Sequence, residues 1–350
     1  MKSVIKNLIY KPVMKQKNSA IKKIFVCEFI TAGGFNHAES LKRLPKSLLT
    51  EAAMMRDALL TDLAKLDYHI TITLDSRLSP PENCDDCVLV DSTDDIWTIW
   101  EAQIQLADAV WIIAPETNGY LKKLTNLVAK HKVIALGCGP KAIEIFSSKL
   151  ATFLICERSG IHTIPTYMFK DLPVINGKCL AKPDDGAGCD DILCFENSTE
   201  LSNWIIQNNK QQSHVIQPYI DGVCASISCV MLSGTAFVLS CNKQLVTSIN
   251  NQLGFNGLTL NAMQDYWVAF DVLAQQLAQL MPNLQGFVGI DVIVQNQKVL
   301  LVEVNPRLTT AYVGLRQATG LNVAELVINA LTNTPFTWPT IERNVVDIYV

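Results

Sequence analysis

A chain of 350 residues exceeds what one compact core holds and predicts two or three domains. Its 49% hydrophobic and 18% charged residues suit a globular protein with ample apolar content for each core. A formal net charge of -4 and a pI near 5.8 exclude a nucleic-acid binder held by a generally basic surface, so any affinity for phosphate has to be local. No segment reaches the roughly 18 uninterrupted apolar residues of a membrane span. The 11 cysteines fall mostly within apolar runs, without a secretory signal before them, which predicts reduced thiols and a cytoplasmic protein. Cys84-Asp85-Asp86-Cys87 has the spacing of half a zinc site, but no second pair completes it, and it reads as a surface loop.

In chain order, residues 1–22 carry Lys2, Lys6, Lys11, Lys15, Lys17 and Lys22 before the first acid, Glu28, and read as a basic flexible arm. From 23 to 140 strands and helices alternate. Ile24–Ile30 is a short apolar run suited to a buried parallel strand, with Gly33-Gly34 breaking the chain after it. Thr50–Leu66 has helical spacing of Ala53, Met54, Ala58, Leu59 and Leu63. Strands follow at Tyr68–Leu74 and Cys87–Val90, a helix at Ile96–Leu106, a strand at Ala109–Ala114, a strand at Lys132–Leu136 and a helix near Lys141–Arg158. This is the pattern of a doubly wound α/β domain, in which ligands meet the carboxyl ends of strands. Glu28, Asp75, Arg77 and Glu116 all sit at or just after such ends. No G-x-G-x-x-G is present to support a dinucleotide site.

Beyond Ile164 the texture is α+β. Strands are predicted at Cys179–Pro183, Val215–Tyr219, Ala225–Leu232, Ala236–Cys241, Phe287–Val294 and Val299–Val304. Helices are predicted at Glu200–Asn208, Asp265–Leu280 and Asn322–Leu331, the last capped by Asn322. The expected organisation is a first domain over 23–140, α+β subdomains over 141–222 and 223–335, and a tail over 336–350.

Two groups of residues carry chemistry. In Val299–Arg307, side chains alternate, so Leu301, Glu303 and Asn305 share one face while Leu300, Val302 and Val304 share the other, expected to be the core. Together with Asp291 they offer three hard oxygen ligands beside Arg307, which suits Mg²⁺ bridging to phosphate. Gln295–Lys298 holds the turn. An odd-numbered loop centred on Gln297 would pair Asp291 with Glu303, whereas a two-residue loop would send them to opposite faces. The second group is Lys182 at the end of a strand, followed by the glycine-containing loop Asp184–Asp191, which combines a point charge with pliable backbone donors. Further on, Gln217-Pro218-Tyr219-Ile220 reads as an extended segment able to offer main-chain groups to an adenine edge.

In this order and spacing, the pieces from about Ser148 to Leu331 resemble the ATP-grasp superfamily, in which two α+β subdomains clamp ATP between their sheets. The resemblance implies that Lys149, Lys182, Gly186, Gly188, Gln217, Tyr219 and Ile220 bind ATP. It implies that Asp291, Glu303 and Asn305 hold Mg²⁺ or Mn²⁺, with two ions expected. Ser148 stands where the family has an acid, and Cys189 where another glycine is frequent.

Finer features, Glu28–Gly34, Ile113–Thr117, Ser240–Gln244 and Asn305–Leu315, are similar to the tyramine–L-glutamate ligase family of methanofuran biosynthesis. That similarity implies an ATP-dependent carboxylate–amine ligase that joins the γ-carboxylate of glutamate to tyramine through an acyl phosphate. The alternatives are a ligase making another γ-glutamyl or peptide-like amide, and an ATP-binding sensor or assembly subunit without turnover. Arg307 would stabilise the acyl phosphate. Glu28 or Glu116 is a candidate base or cation anchor, or else a capping or salt-bridged residue. Asn242, Lys243, Gln244, Thr309, Thr310 and Tyr312 would face the substrates, Tyr312 and Trp267 as aromatics able to stack on a phenol ring. The implied partners are a small carboxylate and a small amine, with no nucleic acid or membrane, in a possible homo-oligomer.

Overall fold

The apolar runs of the first 140 residues pair as an all-parallel sheet in the computed structural model, which describes residues 21–37, 44–186, 191–332 and 337–350. Its strands are β1 (Lys23–Glu28), β2 (His69–Asp75), β3 (Asp86–Val90), β4 (Ala109–Ile113) and β5 (Ile134–Ala135), in the order β3-β2-β1-β4-β5. The helices between them are α1 (Lys46–Leu63), α2 (Ile96–Leu106) and α3 (Tyr120–His131). Strand order reverses between β1 and β4, and Glu28 and Glu116 follow those two strands, so both lie at the switch point where open α/β sheets bind ligands. Nearly all of the arm expected over 1–22, and Gly188 of the glycine loop, lie outside the described residues.

The helix expected over Lys141–Arg158 is two helices, α4 (Pro140–Phe146) and α5 (Lys149–Arg158). The break has a local cause: Ser148 is extended and its hydroxyl caps α5 by accepting from the Ala151 N–H. Then come β6 (Tyr167–Met168), β7 (Cys179–Pro183), β8 (Leu193–Phe195), α6 (Ser198–Gln207) and β9 (His214–Pro218). The larger strands are β10 (Val223–Leu232), β11 (Thr235–Ile249) and β12 (Gln252–Leu260), followed by α7 (Trp267–Leu280), β13 (Gly286–Gln295) and β14 (Lys298–Asn305). Helices α8 (Tyr312–Thr319) and α9 (Val323–Leu331) and strand β15 (Val346–Tyr349) complete the chain. Asn322 caps α9 through the Glu325 N–H, as the sequence predicts.

Strands β6–β15 form one sheet, in which β12 and β8 are joined by a single residue pair, Gln252 opposite Leu193, while a bridge between Thr163 and Leu301 ties the segment before β6 to β14. The half with β6–β9 has a small core of its own, built on Cys179, Ala181, Leu201, Ile205 and Ile216. The other half shares continuous cores with the first domain: Ile30, Ala114 and Ile143 pack in one cluster with Ile227, Val288 and Leu301, and Leu59 and Ile113 in another with Phe287, Leu308 and Val327. The first domain and the β10–β14 sheet are therefore one packed body, and the β6–β9 half, with its separate core, joins that body through the β12–β8 pair, the Thr163–Leu301 bridge and the Lys149–Glu303 ion pair.

The stretch read as a tail carries β15, which pairs with β12 from Gly257–Tyr349 to Leu260–Val346. Gly257 has a φ of +130°, and a Cβ there would lie 2.0 Å from the Ile348 carbonyl oxygen. Gly257→Ala is therefore expected to destabilise the protein by about 2–4 kcal/mol, through strain and displaced pairing, as read by chemical denaturation.

Candidate active site

The β13–β14 hairpin turns through two residues, Asn296 and Gln297, both with positive φ, between Gln295 and Lys298. A regular two-residue hairpin would set Asp291 opposite Val302 and turn Glu303 away from it. A bulge between Asp291 and Val292 absorbs Val302, and Asp291 comes to stand opposite Glu303, with Gly289 opposite Asn305. The expected link between loop length and facing is corrected accordingly: the loop is even, and the bulge restores the pairing. The bulge also reverses the facing on its two sides: Val304 is buried as expected, but Leu301 joins it on the face opposite Glu303 and Asn305, whereas Leu300 and Val302 are only partly buried.

Two carboxylates are thus held side by side. The Asn305 side-chain N–H donates to Asp291 at 3.1 Å, and the Gln244 side chain donates to the other Asp291 oxygen at 2.9 Å. Burial and then the facing Glu303 carboxylate push Asp291 up to about 8. Burial acts on Glu303 in the same sense, but Lys149 and Lys182 outweigh it and hold Glu303 below its ordinary value. Lys149 Nζ lies 3.3 Å from Glu303 and donates to the Gly186 carbonyl at 2.7 Å. The two lysines come from α5 and β7 and the carboxylates from β13 and β14, so charged groups of opposite sign meet where the two halves of the sheet come together.

The fit of a divalent cation can be judged from these contacts. Asp291 and Glu303 crowd each other, and Asn305 gives its N–H to Asp291, leaving its amide oxygen for another partner. Two carboxylates and an amide oxygen form a hard donor set for Mg²⁺ or Mn²⁺ that leaves positions for phosphate oxygens.

A pH effect follows. Without a cation, folded Asp291 keeps its proton up to about pH 8, whereas the unfolded chain loses it near pH 4. The folded state then binds more protons over that interval, so stability falls as pH rises through it. The depressed Glu303 contributes stability above its unfolded value and loses it only as the solution becomes more acidic. A cation bound between the carboxylates would replace the Asp291 proton. Melting curves with EDTA and with millimolar Mg²⁺ are expected to separate as pH rises from about 5 to 8, with the largest Mg²⁺ gain at pH 8; a gain independent of pH would contradict this.

The first domain meets this site through Arg307. Its Nε donates to both Glu116 oxygens at 2.9 and 3.1 Å, its second terminal nitrogen to Glu116 at 2.9 Å, and its remaining one to the Leu308 carbonyl at 3.1 Å. Glu116 is buried and Arg307 nearly so. Thr310 donates to Glu51 of α1, a second link from the same loop. Glu28 faces inward: its carboxylate accepts from the Ile30 N–H, the Thr31 N–H and the Thr31 hydroxyl, and burial pushes its pKa up against those bonds. Tyr312 is core, its hydroxyl donating to Asp62 at 2.8 Å and its ring edge-on to Phe287. Trp267 is covered by Arg343. Neither aromatic stands among the charged groups.

Of the remaining predicted residues, Gln217 is buried and donates to the Thr166 hydroxyl, and the Tyr219 N–H is already bonded to the Lys178 carbonyl. Tyr219 is exposed and Ile220 half-buried at the end of β9. Asn242 is fully buried, Lys243 exposed on the opposite face, and Thr309 lies over Gly289. Asp184 was not singled out by sequence. It accepts from the Ser148 hydroxyl at 2.7 Å and the Leu150 N–H at 2.8 Å, so it supplies from the loop the acid that position 148 lacks and fixes Lys149. Asp185 accepts from the Asn118 N–H, tying the same loop to the first domain. The signal was present as acids flanking the glycines, but their partners are 36 and 67 residues away.

The geometry agrees with comparison to known proteins. Residues 146–311 match the model of the ATP-grasp domain, and residues 68–143 that of the pre ATP-grasp 3 domain. The chain is 26% identical to the tyramine–L-glutamate ligase of Methanocaldococcus jannaschii over 333 residues, 93% of this chain and 94% of that protein. An ATP-grasp superfamily protein from Archaeoglobus fulgidus superposes with a TM-score of 0.67 at 20% identity, covering 93% of this chain and 99% of that one. The L-amino acid ligase of Bacillus licheniformis superposes with a TM-score of 0.65 at 16% identity, covering 91% and 76%. A parallel first domain, two sheet halves with lysines facing paired carboxylates, and these matches lead to one family: the chain belongs to the ATP-grasp superfamily.

Proposed function

We propose that this protein is an ATP-dependent carbon–nitrogen ligase that joins the γ-carboxylate of glutamate to tyramine, releasing ADP and phosphate. The observation that carries the reading is the juxtaposition of Asp291 and Glu303, aligned by the Val302 bulge, with Lys149 and Lys182. The relatives named tyramine–L-glutamate ligase, matched over nearly their whole length, support the substrate pair.

In this reading Lys149 and Lys182 neutralise the phosphates of ATP, and the glycine loop, held by Asp184 and Asp185, covers them. Asp291, Glu303 and Asn305 would hold a divalent cation, which when bound would supply charge neutralisation for the triphosphate. The substrate carboxylate attacks the γ-phosphorus, ADP leaves, and an acyl phosphate results. The amine attacks its carbonyl carbon, the C–O bond to phosphate breaks, and the nitrogen gives up a proton as the amide forms. Arg307 lies on the loop directly after Asn305 and is fixed by Glu116, so its positive charge stands ready beside the transferring group. The acyl phosphate is sheltered from water by the single packed body of first domain and β10–β14 sheet.

Purified protein incubated with ATP, Mg²⁺, L-glutamate and a panel of amines tests this. The expected result is γ-glutamyltyramine by mass detection, with equal ADP; phosphate release with tyramine no greater than with alanine or lysine contradicts the substrate pair.

A further inference from the structure

The face of the sheet that bears the carboxylate pair carries a second polar group that the phosphoryl-transfer chemistry does not use. By register, Asn242, Ser226, Asp291 and Glu303 stand in one row across β11, β10, β13 and β14. Ser240, Ser228, Gly289 and Asn305 form the next row. Residues directly opposite one another project from the same face, so a polar strip runs across four strands from the metal ligands to Asn242 and Ser240. Strands lie about 4.8 Å apart, which puts Asn242 roughly 10 Å across the sheet from Asp291, the scale of a small amino acid with its recognition groups.

This end of the strip is unlike ordinary sheet interior. Asn242 and Ser240 are 0% exposed and Ser228 is 1%. The Asn242 side-chain N–H groups donate to Ser226 Oγ at 3.3 Å and Ser228 Oγ at 3.2 Å. Its Oδ1 has no partner among the described residues, and neither has Ser240 Oγ. Buried polar atoms are almost always hydrogen-bonded, and leaving one unpaired costs more than an apolar replacement would. Gly289 bears on the same place. A Cβ there would lie 2.6 Å from Thr309 Cγ2, so glycine lets the loop after Asn305 rest on the strip.

What Asn242 Oδ1 lacks is a hydrogen-bond donor, and Ser240 Oγ can accept one as well. The charged neighbours along the rows are the acids Asp291 and Glu303, and Lys243 is turned to the other face. An ammonium group supplies such N–H donors, and the nearest acids of the strip are already faced by Lys149 and Lys182, so it is the unpartnered acceptors that call for it. We propose that Asn242 and Ser240, braced by Ser226 and Ser228, form the subsite for the α-ammonium of the amino acid whose distal carboxylate is phosphorylated. This rests on the ligase reading above and adds to it how the amino-acid substrate is told from a plain dicarboxylate.

The test compares kcat/KM for L-glutamate with that for glutarate, its analogue without the amino group, using tyramine and ADP release. Wild type is expected to favour glutamate by about 10- to 100-fold, the loss of a hydrogen bond to a charged group. Asn242→Leu is expected to bring that ratio close to one. Asn242→Asp, which keeps the acceptor, is expected to preserve the preference for glutamate. Ser240→Ala, a smaller change that serves if Asn242→Leu does not fold, is expected to lower the ratio several-fold. A ratio unchanged in Asn242→Leu and Ser240→Ala overturns the subsite and leaves a structural or water-binding role. A ratio lost equally in Asn242→Asp overturns it too, because the missing partner is then an acceptor. If wild type makes no amide from glutamate, the substrate assignment fails separately; the same ratios are then measured with the amino acid it does accept and its desamino acid, and a preference untouched by Asn242→Leu still overturns the subsite.

Discussion

Glu303→Gln lowers kcat by on the order of 10²- to 10³-fold, with the fold retained, if the carboxylate pair holds the cation that shields the triphosphate. The substitution leaves the side chain its size and its place opposite Asp291 while removing half of the negative charge at the site. It also leaves Lys149, 7% exposed and 3.3 Å from that carboxylate, without its acid. Asp291 is freed from the crowding that raises it, so its pKa falls, and the Mg²⁺-dependent stabilisation described above shrinks across the whole pH range. Steady-state kinetics over a Mg²⁺ titration reads both consequences. A variant with wild-type kcat at saturating Mg²⁺ would place the cation elsewhere.

Arg307→Ala is expected to have two separable effects. Turnover falls by about 10²- to 10³-fold, because a fixed positive group beside the transferring phosphoryl is lost. Stability falls by about 3–5 kcal/mol, because Glu116, 5% exposed, is left as a buried carboxylate without its partner. The double variant Glu116→Gln/Arg307→Ala removes the stranded charge. It is expected to regain most of the stability and none of the activity, a non-additivity that chemical denaturation and kinetics measure on the same samples. Arg307→Lys is expected to resemble Arg307→Ala in activity, since one ammonium cannot make the three bonds of the fork to Glu116.

Much of this arrangement was legible in the sequence because the relevant physics is local. Ile96–Leu106 has a helical period bounded by Asp95, which caps it, and the helix occupies those same residues. Val299–Asn305 forms the expected strand, and past the bulge Glu303 and Asn305 share a face, so that grouping could be read directly while that of Leu301 with them could not. The bulge could not: nothing in the composition of Val302 marks it as the extra residue, and the turn alone would have sent Asp291 and Glu303 apart. Strand β12 escaped because Gly254, Asn256 and Gly257 interrupt its alternation, and β15 because four residues carry too little period to detect.

The candidate site divides in the same way. Residues that act through their own strand or loop, such as Lys149, Lys182 and Asp291, were identifiable. Those whose meaning depends on a distant partner were not. Glu116 and Arg307 are 191 residues apart, and Tyr312 meets Asp62 across 250. An aromatic beside the loop that carries Arg307 reads as a wall for a substrate ring until the buried acid that claims its hydroxyl is seen. Ser226, Ser228 and Ser240 look like ordinary strand serines in sequence. Only the register across β10 and β11 sets them beside Asn242 and in line with the carboxylates.

A crystal grown with Mn²⁺ and a non-hydrolysable ATP analogue examines the core of this account in one experiment. An anomalous peak bound by Asp291, Glu303 and Asn305, with Lys149 and Lys182 on the phosphates, is the predicted result. Nucleotide bound away from the junction of the two sheet halves, or a cation with none of those three ligands, would contradict it.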